Sequence, residues 1–124
     1  MDVLKTDHAP TAIGPYSQAV RQGNFIFASG QIPLDPATGK LIEGDFDAMV
    51  RRVFDNLKAV LASGGATFDH VVKATVYLKD IKDFAKLNAI YAEYMGSHKP
   101  ARSTVGVAQL PLDAPVEIDL IAMI

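Results

Sequence analysis

The sequence of 124 residues contains no cysteine. This absence excludes disulfide bonds, thiolate nucleophiles and metal sites built on cysteine, and it is compatible with a reducing cytoplasm. The chain also lacks any apolar run approaching the length that spans a bilayer. Charged residues follow Met1 closely, where a signal peptide would carry its apolar segment. We therefore expect a cytoplasmic protein that has no membrane partner.

An excess of charge of one sign is also missing. Twelve Lys and Arg residues face fourteen Asp and Glu residues, which gives a net charge of −2. Nucleic-acid binding normally requires clustered cations, whereas the cations here are dispersed along the chain, so we expect no nucleic-acid partner. The three histidines (His8, His70 and His98) show no ligand spacing, and no Gly-rich phosphate loop is present. We therefore expect neither a metal nor a cofactor.

Hydrophobic residues make up 49% of the chain, which fits a single domain over residues 1–124. Apolar residues at helical spacing predict a first helix from Phe46 to Leu61, with Asp45 in its first turn and Gly64-Gly65 as its stop. A second helix runs from about Phe84 to Gly96, with Asp80 and Asp83 as candidate caps.

Between and around these helices the pattern alternates with the period of a strand. We expect a loop over residues 1–15, a hairpin of 17–21 with 25–29 that ends at Gly30, and further strands over 69–79, 101–107 and 116–124. The order of strands, helix, strand, helix and strands predicts an α+β fold with two helices on one face of the sheet.

The last strand is apolar on one face and mixed on the other, where Glu117 and Asp119 alternate with Ile121 and Met123. Two helices cover only one face of such a sheet, and apolar residues on the opposite face need another cover. A second subunit is the simplest cover, which predicts an oligomer with Glu117 near an interface.

Arg102 stands alone among small and apolar residues, directly after Pro100 has ended the second helix. One interpretation is an anion clamp, because a guanidinium presents a fixed fork of donors that fits a carboxylate. The other is an edge-strand arginine paired with a carboxylate elsewhere in the chain, such as Glu117. Periodicity alone leaves both open.

Four other polar residues occur in apolar settings: Tyr16, Ser29, Asn88 and Glu117. Each has a structural alternative. The Tyr16 ring could belong to the core, Ser29 and Asn88 could bond backbone groups, and Glu117 could be an ordinary strand residue. Taken singly, each structural alternative is favoured.

Six segments of the chain, taken in order, resemble the motifs of the RidA/YjgF family. The most specific are Gly14-Pro15-Tyr16, Ser29-Gly30-Gln31-Ile32-Pro33 and Pro100-Ala101-Arg102-Ser103. The likeness runs from about residue 8 to the end of the chain. The full segments are Ala12–Ala19, Ala28–Pro33, Val72–Leu78, Asn88–Tyr91, Pro100–Val105 and Val116–Asp119.

The resemblance implies a chorismate-mutase-like fold, assembled as a homotrimer with the sheets facing inward and with sites between subunits. It implies hydrolysis of 2-imino acids, such as 2-iminobutanoate and 2-iminopropanoate, to 2-keto acids and ammonia, which protects other enzymes from imine and enamine damage. By the same resemblance, Arg102 holds the substrate carboxylate and Glu117 helps to activate water. The resemblance further implies that the cleft is lined by Tyr16, Ser29 and Asn88. It implies a backbone contact from Gly30 and a hydrogen-bonding contact from Thr104.

Thr104 falls where many family members carry cysteine, so any thiol chemistry of relatives is excluded here. A protonated imine carbon is already electrophilic, so an arginine anchor and a glutamate with a raised pKa, beside apolar neighbours such as Ile121, would suffice. Two alternatives stay open: a non-catalytic protein that binds small carboxylates, and, third, a ribonuclease or translation inhibitor.

Overall fold

The computed structural model describes residues 1–124 and contains one mixed sheet of six strands with two helices on one face. The strand order is β1-β2-β3-β6-β4-β5; only the β4–β5 pair is parallel. Neither helix combines the length and apolar character that crossing a membrane requires. The elements are β1 Asp2–Leu4, β2 Ala19–Gln22, β3 Phe25–Gln31, α1 Phe46–Ser63, β4 Val71–Leu78, α2 Phe84–Met95, β5 Ala101–Gly106 and β6 Val116–Met123.

Helix α1 begins and ends where the sequence places its boundaries. The Asp45 carboxylate accepts a hydrogen bond from the Ala48 backbone N–H, which satisfies one of the unpaired donors of the first turn. The helix ends at Gly64, and Gly65 follows with φ of 79°, a conformation that glycine adopts without a steric penalty. Its apolar stripe lies on the sheet and forms much of the core.

Helix α2 packs beside α1 through an aromatic cluster. The Phe54 ring of α1 stacks on Tyr94 of α2 with 4.7 Å between centroids and meets Tyr91 edge to face at 5.8 Å. Of the two candidate caps, Asp80 caps a short 3-10 turn at 81–83, whereas Asp83 precedes α2 without a side-chain capping bond. The aromatic contacts fix α2 against α1.

Two strand predictions were wrong. Residues 2–4 do not belong to a loop but form the edge strand β1, which pairs with β2; three residues are too few to show a period. Gly30 does not end β3, which continues to Gln31 through a bulge opposite β6. Ala28 and Gln31 are three residues apart, so in a regular strand they would face opposite sides of the sheet. The extra residue of the bulge lets both be buried.

The sheet has one covered and one uncovered face. On β6, Val116, Ile118, Leu120 and Ala122 are buried under the helices, and the residues between them lie on the uncovered face. That face remains rich in apolar surface, because the side chains of several of its residues are more than two-fifths exposed in the single chain. They are Phe25, Phe27, Val105 and Met123.

Candidate active site

A cavity of about 450 Å³ lies where the end of β3, the start of β6 and the N-terminal loop meet. It is lined by four of the residues singled out in the sequence, namely Tyr16, Ser29, Gly30 and Glu117. Tyr16 is 55% exposed, which excludes its interpretation as a core residue. We refer to this cavity as the acidic half-site, because Glu117 supplies its charge.

Glu117 is half-buried and lies directly against Gly30. A Cβ atom added to Gly30 would stand 2.6 Å from Glu117 Oε2, so the carboxylate occupies the space that a side chain at this position would fill. Burial raises the pKa of Glu117 above its ordinary value of 4.5, and the negative charge of Asp119 raises it further. The carboxyl therefore exchanges its proton closer to neutral pH than an exposed glutamate does.

The expected apolar neighbour Ile121 does not cause this shift. It pairs with Phe27 and Lys73, four residues along β6 from Glu117, whereas Glu117 pairs with Tyr77. Successive residues of a strand advance by about 3.3 Å, so the two side chains are well separated on the same face.

Ser29 forms hydrogen bonds with backbone groups, which was the structural alternative for this residue. Its hydroxyl donates to the Ser17 carbonyl at 2.6 Å, and its N–H donates to the Gln18 carbonyl at 3.0 Å. Ser29 also lines the cavity, so its role in binding a ligand stays a prediction beside these backbone bonds.

Gln18 is a residue that sequence reasoning missed. Its buried side chain accepts from the Thr6 N–H and donates to the carbonyls of Thr6, Ala9 and Pro10. These bonds fix the N-terminal loop as one wall of the cavity. The available signal was a polar residue inside the Ala12–Ala19 segment, but only the fold shows that this residue is buried.

The opposite wall contains a strained turn. Pro111 lines the cavity, and the next two residues, Leu112 and Asp113, have φ of 55° and 56°. Such values are uncommon for residues with a side chain. Lys79 holds the turn through an ion pair with Asp113 at 2.8 Å.

Arg102 lies on β5, on the face that the helices cover. It forms no ion pair and no side-chain hydrogen bond in the chain, so its interpretation as a partner of Glu117 within one chain is wrong. Instead its Cζ lies 4.7 Å from the centroid of the Tyr91 ring and 5.5 Å from that of Phe84. A groove of about 210 Å³ runs beside Arg102, between the end of α2 and the start of β5.

Thr104 lies on β5 with Arg102, Asn88 lies on α2, whose rings contact Arg102, and both residues have unpartnered polar atoms. Asn88 Oδ1, Thr104 Oγ1 and the Tyr91 hydroxyl are buried without a hydrogen-bond partner. Buried polar atoms are nearly always paired in proteins, because leaving one unpaired costs free energy. Three of them beside an unpaired guanidinium mark this region, the cationic half-site, as a place for a polar ligand.

The two half-sites lie on opposite faces of the sheet. Arg102 is aligned with Ala74, which pairs with the buried Leu120 on the helix side. Glu117 lies on the uncovered face. One chain therefore brings Tyr16, Ser29 and Gly30 to the cavity of Glu117. Thr104 shares a face of β5 with Arg102, and Asn88 lies on α2 between the two residues whose rings contact Arg102. The two groups are not joined within the chain. No group of three or more His, Asp or Glu side chains is placed to hold a metal ion.

Comparison with known proteins gives a consistent result. The family model described as endoribonuclease L-PSP matches residues 6–124. A RutC family protein of Pyrococcus abyssi is 53% identical over 98% of this chain and 95% of its own. The yeast protein MMF1, described as mitochondrial, is 43% identical over 97% of this chain and 82% of its own, so the relatives do not confirm the expected cytoplasmic location.

Solved structures show the same fold. RidA from the Antarctic bacterium Psychrobacter superposes with a TM-score of 0.96 at 44% identity, and both chains are covered completely. Escherichia coli TdcF, solved with bound serine, superposes with a TM-score of 0.95 at 38% identity, covering 100% of this chain and 99% of that one. The chain therefore belongs to the RidA/YjgF family, whose model is described as endoribonuclease L-PSP.

Proposed function

We propose that the chain assembles into a homotrimer and hydrolyses 2-imino acids, among them 2-iminobutanoate and 2-iminopropanoate, to 2-keto acids and ammonia in clefts between subunits. The observation that carries the proposal is the pair of half-sites. One holds a glutamate with a raised pKa in a cavity, and the other holds an unpaired arginine beside three buried polar atoms without partners. A neighbouring copy would complete each half-site.

The uncovered face of the sheet supports the assembly. Phe25 and Phe27 pair with Met123 and Ile121 across β3 and β6, and together they form an apolar surface that no helix covers. Contiguous apolar surface of this kind is typical of a subunit interface. Because Glu117 is on the same face, burying this surface would bring a second chain close to the acidic half-site.

The residues suit the chemistry of imine hydrolysis. Arg102 would bind the substrate carboxylate through two parallel N–H donors. Glu117, as the carboxylate, would take a proton from water as its oxygen attacks the imine carbon and forms a tetrahedral carbinolamine. The resulting carboxylic acid would then give that proton to the nitrogen. The regenerated carboxylate would take the proton of the carbinolamine hydroxyl as the C=O bond forms and the C–N bond breaks, and it would pass that proton to the departing ammonia, which leaves as ammonium.

Each group has a feature that suits its proposed role. A carboxylate whose pKa lies above the ordinary value is a stronger base, so it takes the proton of water at a smaller free-energy cost, and general acid–base help of this kind is worth about a hundred- to ten-thousand-fold. No covalent step is required. The serine bound in TdcF shows that this relative accepts a molecule with a free carboxylate.

The test is deamination of 2-iminobutanoate and 2-iminopropanoate, generated by an amino-acid oxidase and trapped in competition with semicarbazide. The wild type should accelerate keto-acid release, and Arg102→Ala and Glu117→Gln should not. Arg51→Ala and Glu93→Gln are matched controls, because these residues pair with each other on an exposed helix surface. Both controls should retain the wild-type rate.

The same samples distinguish the alternatives. A wild type that binds 2-oxobutanoate without accelerating hydrolysis would replace deamination by carboxylate binding. An RNA-cleaving activity that co-purifies with the protein and weakens steeply with increasing salt would favour the ribonuclease. The acidic half-site argues against the ribonuclease, because no Lys or Arg side chain lines its cavity.

A further inference from the structure

Two aromatic rings on α2 lie over the guanidinium of Arg102. Phe84 and Tyr91 are seven residues apart, which is two helical turns, so both project from the same side of α2. Their centroids lie 5.5 Å and 4.7 Å from Arg102 Cζ, within the range of about 6 Å over which a cation and a ring attract each other.

The arrangement leaves the donors of Arg102 unused. An aromatic ring attracts a cation through its face and carries no oxygen or nitrogen acceptor there, so it does not take the place of a carboxylate at the N–H donors. Arg102 makes no ion pair in the chain, and the side chains of Phe84 and Tyr91 are the aromatic groups that contact it. The rings therefore restrict the orientation of the guanidinium without competing for a ligand.

We propose that Tyr91 and Phe84 are positioning residues, which hold the guanidinium plane of Arg102 so that its donor edge is preorganised for a carboxylate. This proposal rests on the proposed function of Arg102 as the substrate anchor. The ring face of Tyr91 performs the positioning role, and its hydroxyl, which has no partner in the chain, stays available to the ligand. A fixed fork loses less conformational freedom when the ligand binds, and this raises affinity.

Three variants of α2 test the proposal. Tyr91→Leu removes the nearer ring, and Tyr91→Phe keeps the ring and removes only the hydroxyl. Tyr94→Leu is the matched control, because Tyr94 stacks on Phe54 at 4.7 Å and does not lie over Arg102. Both leucine variants lose an aromatic contact with Phe54, so they carry a similar packing defect.

The first readout is the NMR shift of the Arg102 Hε proton in the ligand-free protein. We expect an upfield ring-current shift in the wild type and in Tyr91→Phe, and its loss in Tyr91→Leu. The second readout is the dissociation constant for 2-oxobutanoate by calorimetry. We expect Tyr91→Leu to weaken binding by about five- to thirtyfold, the range of a cation–π contact, Tyr91→Phe to weaken it less because the ring is kept, and Tyr94→Leu to stay within about twofold of wild type.

Two results would overturn the proposal: an unchanged Arg102 Hε shift in Tyr91→Leu, or equal losses of affinity in Tyr91→Leu and Tyr94→Leu. The shift requires no ligand, so it decides the positioning role independently of catalysis. A wild type that neither binds 2-oxobutanoate nor deaminates imines would instead refute the proposed function, whatever the shift reports.

Discussion

Gly30→Ala is the substitution whose effect the structure specifies most sharply. The new Cβ would lie 2.6 Å from Glu117 Oε2 and 2.9 Å from its Cδ. Gly30 does not have a positive φ, so its backbone accepts alanine without conformational strain. The substitution therefore acts on the Glu117 carboxylate and on little else.

The required movement can be read from these distances. The carboxylate oxygen must retreat from 2.6 Å to the 3.4 Å at which ordinary van der Waals contact begins, a displacement of about 0.8 Å. A shift on the order of 1 Å in a catalytic group can cost about a hundredfold in rate. A side chain pushed off its preferred rotamer costs only about 0.5–1.5 kcal/mol, so the fold should survive.

The assay combines imine deamination with thermal unfolding, and it includes a double-mutant cycle. We expect Gly30→Ala to lower kcat by about a hundredfold with a small change in Tm. In the Glu117→Ala background, the same change at Gly30 should cost nothing further, because the group it displaces is already gone. A wild-type rate in Gly30→Ala, or a second full loss in the Glu117→Ala background, would refute the reasoning.

Four further predictions concern other parts of the account. The wild-type kcat/KM should fall as the pH is lowered through the raised pKa of Glu117. Glu117→Gln should raise Tm at neutral pH but not below the ordinary pKa value of 4.5. A pKa that is raised in the folded state stabilises the fold at low pH, and this contribution is lost as the pH rises through that pKa. Gln18→Ala should lower the free energy of unfolding in urea by about 2–3 kcal/mol, because the hydrogen bonds that its buried side chain makes to the N-terminal loop are lost. Arg102→Lys should weaken 2-oxobutanoate binding in calorimetry at least about tenfold, because a point charge does not replace a bidentate fork. Phe27→Lys should reduce the mass measured by light scattering to that of a monomer, because it places a charge on the uncovered apolar face.

The sequence predicted the elements whose signals are local. The period of α1 and its boundaries at Asp45 and Gly64 depend on neighbours within a few residues. The alternation of β6 likewise separated a buried face from one that carries Glu117. In both elements the apolar and polar positions contrast strongly, so the pattern fixes which side is buried.

The arrangement of the candidate site depended on contacts that the sequence does not display. In β5, Ala101, Ser103 and Val105 alternate with Arg102 and Thr104, and neither set is clearly apolar. Periodicity therefore could not tell which face of β5 lies under α2. The parallel pairing of β5 with β4 decides this and separates Arg102 from Glu117.

The bulge in β3 and the role of Gln18 escaped prediction for a related reason. A bulge is a mismatch between two strands, here β3 and β6, and it is visible only once their register is known. Gln18 bonds to carbonyls eight to twelve residues away, which no local pattern reports. The family motifs marked these positions without giving their physical reasons.

The central claim is that each site takes Arg102 from one chain and Glu117 from another. It is tested most directly by co-expressing Arg102→Ala and Glu117→Gln chains that carry different tags, and by measuring imine deamination of the unfractionated mixture. If two chains share each site, random assembly gives wild-type residues in about one quarter of the clefts, so about one quarter of the wild-type activity should return. Activity no higher than that of the separate variants would contradict the claim.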